Sequence, residues 1–544
     1  MHNLHFTFPE PKNEPILQYA PGSAERTELK NALREFRQHP QDIPLFIGGE
    51  PVCTGKTKKL RCPHDHSLDL GVYHEAGPEH IGQAIEAAMA AKPAWEAMPW
   101  QDRARIFAKA AALLAGPMRQ QANAATMLGQ SKSPMQAEID SACELIDFWN
   151  FNIHFMGQIY AQQPSSGKGF LDWMEHRALE GFVLAITPFN FSSIGGNLPT
   201  APAMMGNVVL WKPASSAVLS AQVIMKVLQA AGLPKGVINM IPCSGREMGS
   251  VVLSNKHLAG IHFTGSTGTF NSIWRTIGEH LDIYHVYPRL VGETGGKDFI
   301  FAHPDCDQDA LLAAAVRGAF EYQGQKCSAA SRMYVPVSVW KTLGGRLGEA
   351  VKGLNMGDVC EDFRCFLGAV IDEAAFKSIT SYIDYAKNST DAKILVGGSY
   401  DKSKGWFIQP TVIVTTNPRF KTMEEEIFGP VLTVFVYPDD QLEETLTLCD
   451  TTSNYALTGA IFCNDRATIV RLTDRLRHAA GNFYINDKPT GAVVGMQPFG
   501  GARKSGTNDK AGSMLNLLRW ASPRTIKENF LPPVAVDYPH MSER

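Results

Sequence analysis

The sequence predicts an α/β fold built on parallel sheets, and three observations carry that reading. Short apolar runs at 182–186, 208–211, 237–241 and 260–263 have the composition of strands buried on both faces. Stretches with helical spacing separate them; between Ser216 and Ala231, the residues Leu219, Val223, Val227 and Ala231 fall four apart. A second series of the same kind starts near Phe299 and takes in 412–414, 432–436 and 457–462. Strand–helix–strand repetition forms parallel sheets through right-handed crossovers, and such sheets bind ligands beyond the carboxyl ends of their strands.

In chain order, residues 1–45 are polar and dotted with proline and read as a wrapping arm, with one helix over 25–37. The spacing of Ile81, Ala84, Ile85 and Ala88 predicts a helix from 79 onward, and further helices are expected over 101–114 and 138–155. The segment 157–173 breaks that rhythm. Its turn-rich Gln163-Pro164-Ser165-Ser166-Gly167 suits a hairpin leaving the domain. Ser215 or Ser216 is placed to cap the helix that follows 208–211, and Gly232 with Pro234 ends it. In the second half, an apolar helix at 310–320 precedes a strand at 332–335, and a helix at 467–479 leads into a strand at 482–485. The last strand, 524–527, is expected at an edge that pairs with another subunit. The boundary between the two α/β series is placed near Gly295.

Composition narrows the function classes. A chain of 544 residues exceeds one small core, so two or three domains are expected. A net charge of −3 offers nucleic acid or an anionic membrane no electrostatic reason to bind, and no apolar run approaches a membrane span. The ten cysteines are scattered without CxxC or zinc-finger spacing, so neither a disulfide framework nor a metal site is expected; Cys360 and Cys365, the closest pair, read as structural. Glu10, Glu14, Glu25 and Glu28 speak against an acid-poor transit peptide. The expected compartment is reducing: the cytoplasm, or the mitochondrial matrix for a chain lacking its leader.

The chemistry centres on Phe320-Glu321-Tyr322-Gln323-Gly324-Gln325-Lys326-Cys327-Ser328, a turn after a helix that presents one thiol. Cys327 is either a nucleophile or one more small buried hydrophobe. Other groups follow strand ends. Asn190, after 182–186, either donates to an oxyanion or sits in a Pro-flanked turn. Lys212, after 208–211, either bonds a ribose or phosphate or lies on the surface. Thr264-Gly265-Ser266-Thr267-Gly268 lets backbone approach a pyrophosphate or is an ordinary glycine loop. Glu293, in Glu293-Thr294-Gly295-Gly296-Lys297, is either the general base for a water or a loop carboxylate.

The order of these stretches, continued by Glu425-Glu426-Ile427-Phe428-Gly429-Pro430 and Pro498-Phe499-Gly500-Gly501, resembles the aldehyde dehydrogenase superfamily from about residue 45 to 520. The resemblance implies a Rossmann-like NAD-binding domain in two parts (1–156 and 180–294) and an α/β catalytic domain (295–515). It also implies a β oligomerisation flap made of a hairpin at 157–179 and a C-terminal segment at 516–544. It assigns Cys327 as nucleophile, Asn190 as oxyanion donor and Glu293 as base. No histidine stands as partner to Cys327, so its activation is left to local N–H groups, the positive ring of the cofactor, or Glu293. Ile186, Lys212, Gly265, Ser266, Glu426 and Phe428 are implied as contacts to NAD. Ser215 stands where many NAD-specific relatives carry a glutamate that excludes a 2′-phosphate, which leaves NADP open. Asn13-Glu14-Pro15-Ile16 and the segment 485–495 narrow the resemblance to the branch that acts on L-glutamate γ-semialdehyde in proline catabolism. There, Ser328, Gly491 and Ala492 are implied to hold the α-carboxylate, Glu144 the ammonium, and Phe191 and Phe499 the aliphatic chain. A homodimer or higher homo-oligomer, and a transient contact with a separate proline dehydrogenase, complete what the resemblance implies.

Overall fold

The apolar runs form the strands they predict. In the computed structural model, which describes residues 7–542, one seven-stranded sheet has the order Arg289–Glu293, Leu258–Thr264, Phe182–Ile186, Val208–Lys212, Ile238–Met240, Leu45–Ile47, Glu50–Val52. The first five are parallel and the last two join antiparallel. Its register decides the site. Ile186 pairs with Lys212, Phe263 with Ile186, and Thr264 with Glu293, so the strands end side by side at one edge.

The second sheet runs Ala392–Val396, Thr411–Thr415, Val431–Tyr437, Ala330–Pro336, Asp298–Ala302, Thr458–Phe462, Asn482–Ile485, all parallel but the first pair. Alternation splits its core in two. Phe299 and Phe301 pack on one face with Ile413 and Ile461, while Ile300 and Ala302 pack on the other with Val412 and Ala460.

Three expectations change. The helix Val218–Ala231 has no side-chain cap; Ser215–Ala217 wind a 3-10 turn into it, with the Ala217 N–H on the Ala214 carbonyl. Gly232, at φ 95°, does end it. The stretch from 138 opens as a π-helical turn, Glu138–Glu144, before the α-helix Leu145–Ala161. Buried carboxylates explain the widened turn. Glu138 takes the Leu17 N–H, the Tyr19 hydroxyl and Asn123 Nδ2, and Asp140 takes the N–H groups of Ser192 and Ser193. Nor is 157–179 a hairpin. The helix continues to Ala161, and the strand after it, Phe170–Arg177, pairs antiparallel with Ser522–Asn529 instead. The turn residues 163–167 end a helix rather than join two strands.

The N-terminal segment wraps as expected. Asn13 Nδ2 donates to Asp147 Oδ2 and to the Val494 carbonyl, each at 2.8 Å, so the arm ties the helix Leu145–Ala161 to the 488–495 loop.

Candidate active site

The helix Gln308–Phe320 is capped by the Asp307 carboxylate and stops at a sharp bend. Tyr322, Gln323 and Gly324 take successive left-handed conformations at φ 52°, 55° and 64°. For the two non-glycine residues this costs roughly 1–2 kcal/mol each. Surrounding contacts over-determine the bend. Gln323 Nε2 donates to the Ser131 and Ala369 carbonyls at 3.0 and 2.7 Å, and Gln325 Oε1 accepts from the Ile371 N–H at 2.9 Å. The Lys132 ammonium lies 4.5 Å from the Tyr322 ring centre. A Cβ on Gly324 would stand 2.2 Å from the Gly429 carbonyl oxygen. Cys327 therefore leaves a loop with little freedom.

The double glycine of 293–297 is explained by crowding. A Cβ on Gly296 would fall 2.2 Å from the Cys327 carbonyl oxygen, and one on Gly295 would fall 2.3 Å from Glu426 Oε2. The Gly296 N–H donates to Glu426 Oε1 at 2.9 Å. Burial, then the carboxylates of Asp298, Glu293 and Glu426, push the Cys327 thiol well above its usual range, so it rests protonated. Glu293 Oε2 accepts from the Gly501 N–H at 3.1 Å. Burial outweighs that bond and the nearby Lys510, and holds Glu293 well above the ordinary carboxylate range. Asn190 is buried against the same loop, with Nδ2 on the Gln325 carbonyl at 3.0 Å. It comes to the backbone two residues before Cys327, and its second N–H carries no protein bond.

Cys327 and Glu293 open onto a cavity of about 320 Å³, a volume suited to a small ligand. All six residues expected at the substrate, Glu144, Phe191, Ser328, Gly491, Ala492 and Phe499, line it, whereas Asn190 does not. Ser328 Oγ lies 2.8 Å from Thr490 Oγ1, and Gly491 has φ 92°. Glu144 ends the π-helical turn; burial, with Asp140 beside it, pushes its carboxyl up to about 8.

Sequence reasoning passed over the cations here. Lys326 and Lys488 both line the cavity, with Lys326 Nζ 3.2 Å from Glu321 Oε2 and Lys488 Nζ on the Thr490 carbonyl. Lys132 is fully enclosed, bonded to Asp140 Oδ2 at 2.6 Å and 4.2 Å from the Phe191 ring centre. Lys326 and Lys488 sit inside stretches already singled out, so their adjacency to Cys327 and Gly491 was the available signal. Lys132 had none.

A second group of expected residues gathers at the shared strand edge. Lys212 is largely buried, meets no carboxylate, and has only the Pro213 carbonyl at 3.4 Å; burial lowers its pKa. Ser266 caps the helix Thr267–Glu279, its Oγ accepting the Thr269 N–H, and Gly265 precedes it. Ile186 pairs with Lys212 in the sheet. Phe428, at φ 56°, packs against Phe189 with ring centres 5.8 Å apart. An unpaired ammonium, a helix N-terminus and a carboxylate with one oxygen unbonded (Glu426) make a donor and acceptor set that fits a dinucleotide. Ser215 is exposed at the start of its 3-10 turn.

The two sheets, with a thiol and a glutamate lining one cavity, have the architecture of an aldehyde-oxidising class of protein. Residues 53–525 match the aldehyde dehydrogenase family, and the chain is a member of it. The Δ1-pyrroline-5-carboxylate dehydrogenase, mitochondrial, of Dictyostelium discoideum is 52% identical over 99% of this chain and 97% of its own length. The human protein of the same name is 47% identical over 97% and 94%. The crystal structure of the Δ-pyrroline-5-carboxylate dehydrogenase from Mycobacterium tuberculosis bound with NAD superposes with a TM-score of 0.96, at 51% identity and 99% and 100% coverage.

Proposed function

We propose that this enzyme oxidises L-glutamate γ-semialdehyde, the open form of Δ1-pyrroline-5-carboxylate, to L-glutamate with NAD, the second step of proline catabolism. Cys327 Sγ releases its proton to solvent and bonds the aldehyde carbon as thiolate, the C=O π pair moving onto oxygen to give the thiohemiacetal anion. The developing oxyanion is held by the free N–H of Asn190 and the Cys327 backbone N–H, each donor worth about 3–4 kcal/mol in comparable sites. NAD, when bound, supplies the acceptor of the electron pair that converts this adduct to a thioester. Lys212 and Glu426 would hold its ribose hydroxyls, Gly265 and Ser266 its pyrophosphate, and Ile186 and Phe428 the apolar walls. Glu293, once ionised, takes a proton from water, the water attacks the thioester carbon, and the Cys327 thiolate leaves.

The observation that carries the reading is the cavity. It joins Cys327 and Glu293 to a glycine loop, two lysines and Glu144, a combination suited to an aldehyde bearing both a carboxylate and an ammonium. The test is an NADH-coupled assay with pyrroline-5-carboxylate, run with NAD and with NADP. A tenfold higher kcat/KM for succinate semialdehyde would remove the substrate assignment. Acyl-CoA formed in the presence of CoA would mean that the CoA thiol, and not water, resolves the thioester.

A homodimer or higher oligomer built through the ribbon of Phe170–Arg177 and Ser522–Asn529 belongs to the same proposal, as does a transient contact with a separate proline dehydrogenase. No described helix is long and apolar enough to cross a membrane. A reducing compartment suits the ten free cysteines. We place the chain in the cytoplasm, the mitochondrial matrix being the alternative that the names of the D. discoideum and human relatives favour.

A further inference from the structure

Away from the cavity, the fold gathers a set of metal-binding side chains that their sequence spacing conceals. One ring nitrogen of His64, one Asp358 carboxylate oxygen and Cys360 Sγ lie within 4.8 Å of one another. His64 and Cys360 are buried, and Asp358 is largely so. We propose that His64 Nε2, Asp358 Oδ1 and Cys360 Sγ form a site for one divalent cation of the zinc class, with water as the fourth ligand.

The orientation of His64 is the observation that points to a ligand. Its Nδ1 is engaged by Ser131 Oγ at 2.9 Å, which fixes the ring and turns Nε2 into the cluster. Nε2 is fully buried and makes no hydrogen bond; Asp358 Oδ1, 3.3 Å away, is out of line for one. A metal-bound histidine has this arrangement, with the remote ring nitrogen held by an outer partner and the near one bare. Ligands about 2.0–2.3 Å from a tetrahedral zinc stand roughly 3.3–3.7 Å apart, so the His64–Asp358 spacing needs no change and Cys360 closes by about an ångström or less. A nitrogen, an oxygen and a sulfur together favour zinc or cobalt over calcium or magnesium.

Charge balances around the site. Loading converts the Cys360 thiol to thiolate and releases one proton, so the cation meets two negative ligands. Arg37, on Asp358 Oδ2 at 3.3 Å and paired with Glu361, also bonds the Cys360 sulfur, so its guanidinium stands as an outer donor to two of the ligands and its charge is met by Glu361. Asp358 Oδ1 already accepts the N–H groups of Cys360 and Glu361, which hold it in place. The site has a route to the chemistry. Ser131, which orients His64, is also the residue whose carbonyl receives Gln323 Nε2 of the catalytic bend.

The test uses the full-length chain carrying Cys327→Ala, which removes the reactive thiol as a competing ligand. Cobalt(II) is titrated in and absorbance is read. The expected result is a thiolate-to-cobalt charge-transfer band with tetrahedral visible bands, saturating at one equivalent per chain. Cys360→Ser is expected to abolish the charge-transfer band, and Ser131→Ala to weaken cobalt binding about ten- to hundredfold through loss of the outer partner. No charge-transfer band in the Cys327→Ala chain overturns the proposal. So does a band that survives Cys360→Ser. Cys463, beside His303 and Asp305 in the other such cluster among the described residues, gives a check should Cys360→Ser not fold. A band lost in Cys463→Ser assigns the metal there and overturns the proposal, whereas a band retained supports it.

Discussion

Glu293 and Glu144 both face the cavity with their carboxyls held above the usual range, and the two titrations have separable consequences. As the proposed base, Glu293 must be ionised to accept a proton from water, so the hydrolytic step should slow as pH falls through its raised pKa. Glu293→Gln is expected to give a burst of NADH of one equivalent per site followed by a steady rate at least a hundredfold lower. An unchanged steady rate would remove Glu293 from the base role. In the binding mode proposed above, Glu144 meets the ammonium in the charged form, which the free site populates only above about 8. Productive binding therefore releases a proton, and kcat/KM for the amino-acid aldehyde should rise with pH up to that value. A simple aliphatic aldehyde should lack this limb, and so should Glu144→Gln with the amino-acid aldehyde. The raised thiol of Cys327 gives a third expectation. Three carboxylates oppose its ionisation, so alkylation by iodoacetamide should be slow in the free enzyme and faster once NAD brings a positive ring near.

At the scale of elements, the bend 322–324 is the unit that aims the thiol. Its left-handed backbone is kept by side chains from elsewhere, above all Gln323 on two buried carbonyls. Gln323→Ala leaves both carbonyls unsatisfied and should cost about 2–4 kcal/mol of stability, read by urea denaturation. It should also lower kcat more than it raises KM, because what it loosens is the aim of Cys327. A value near zero would mean that the bend holds itself. This element was half legible beforehand. A glycine turn ending on Cys327 could be read directly, but Ser131 and Ala369, which stabilise it, could not. The π-helical turn Glu138–Glu144 was illegible for a related reason: its apolar spacing is that of an ordinary helix, and the carboxylates that widen it answer to partners as distant as Leu17 and Ser192.

For the whole molecule, the two ends of the chain act on its middle. The arm reaches the anchor loop through Asn13 on the Val494 carbonyl, and Ile16 lines the cavity. Asn13→Ala is expected to raise KM several-fold with kcat nearly unchanged, since in the proposed binding mode the loop holds the substrate's carboxylate and not its reacting carbon; a fall in kcat alone would refute this coupling. The C-terminal strand Ser522–Asn529 covers one edge of Phe170–Arg177. Removing residues 520–544 bares that edge, and sedimentation should report loss of the oligomer proposed to form through this ribbon.

What the sequence determined by itself was whatever depends on near neighbours. Apolar runs and helical spacing set the strands and their alternation, and the stretches around Cys327, Glu293 and Gly491 announced themselves because each is a local turn beside an element. Tertiary structure alone decided which distant groups share a space. It put Asp298 and Glu426 beside Cys327, Lys132 between Phe191 and Tyr322, and His64 against Cys360. The reason is physical: backbone conformation follows from a residue and its few neighbours, whereas the energy of a charge or a thiol is set by what surrounds it after burial, and that company is assembled from the entire chain.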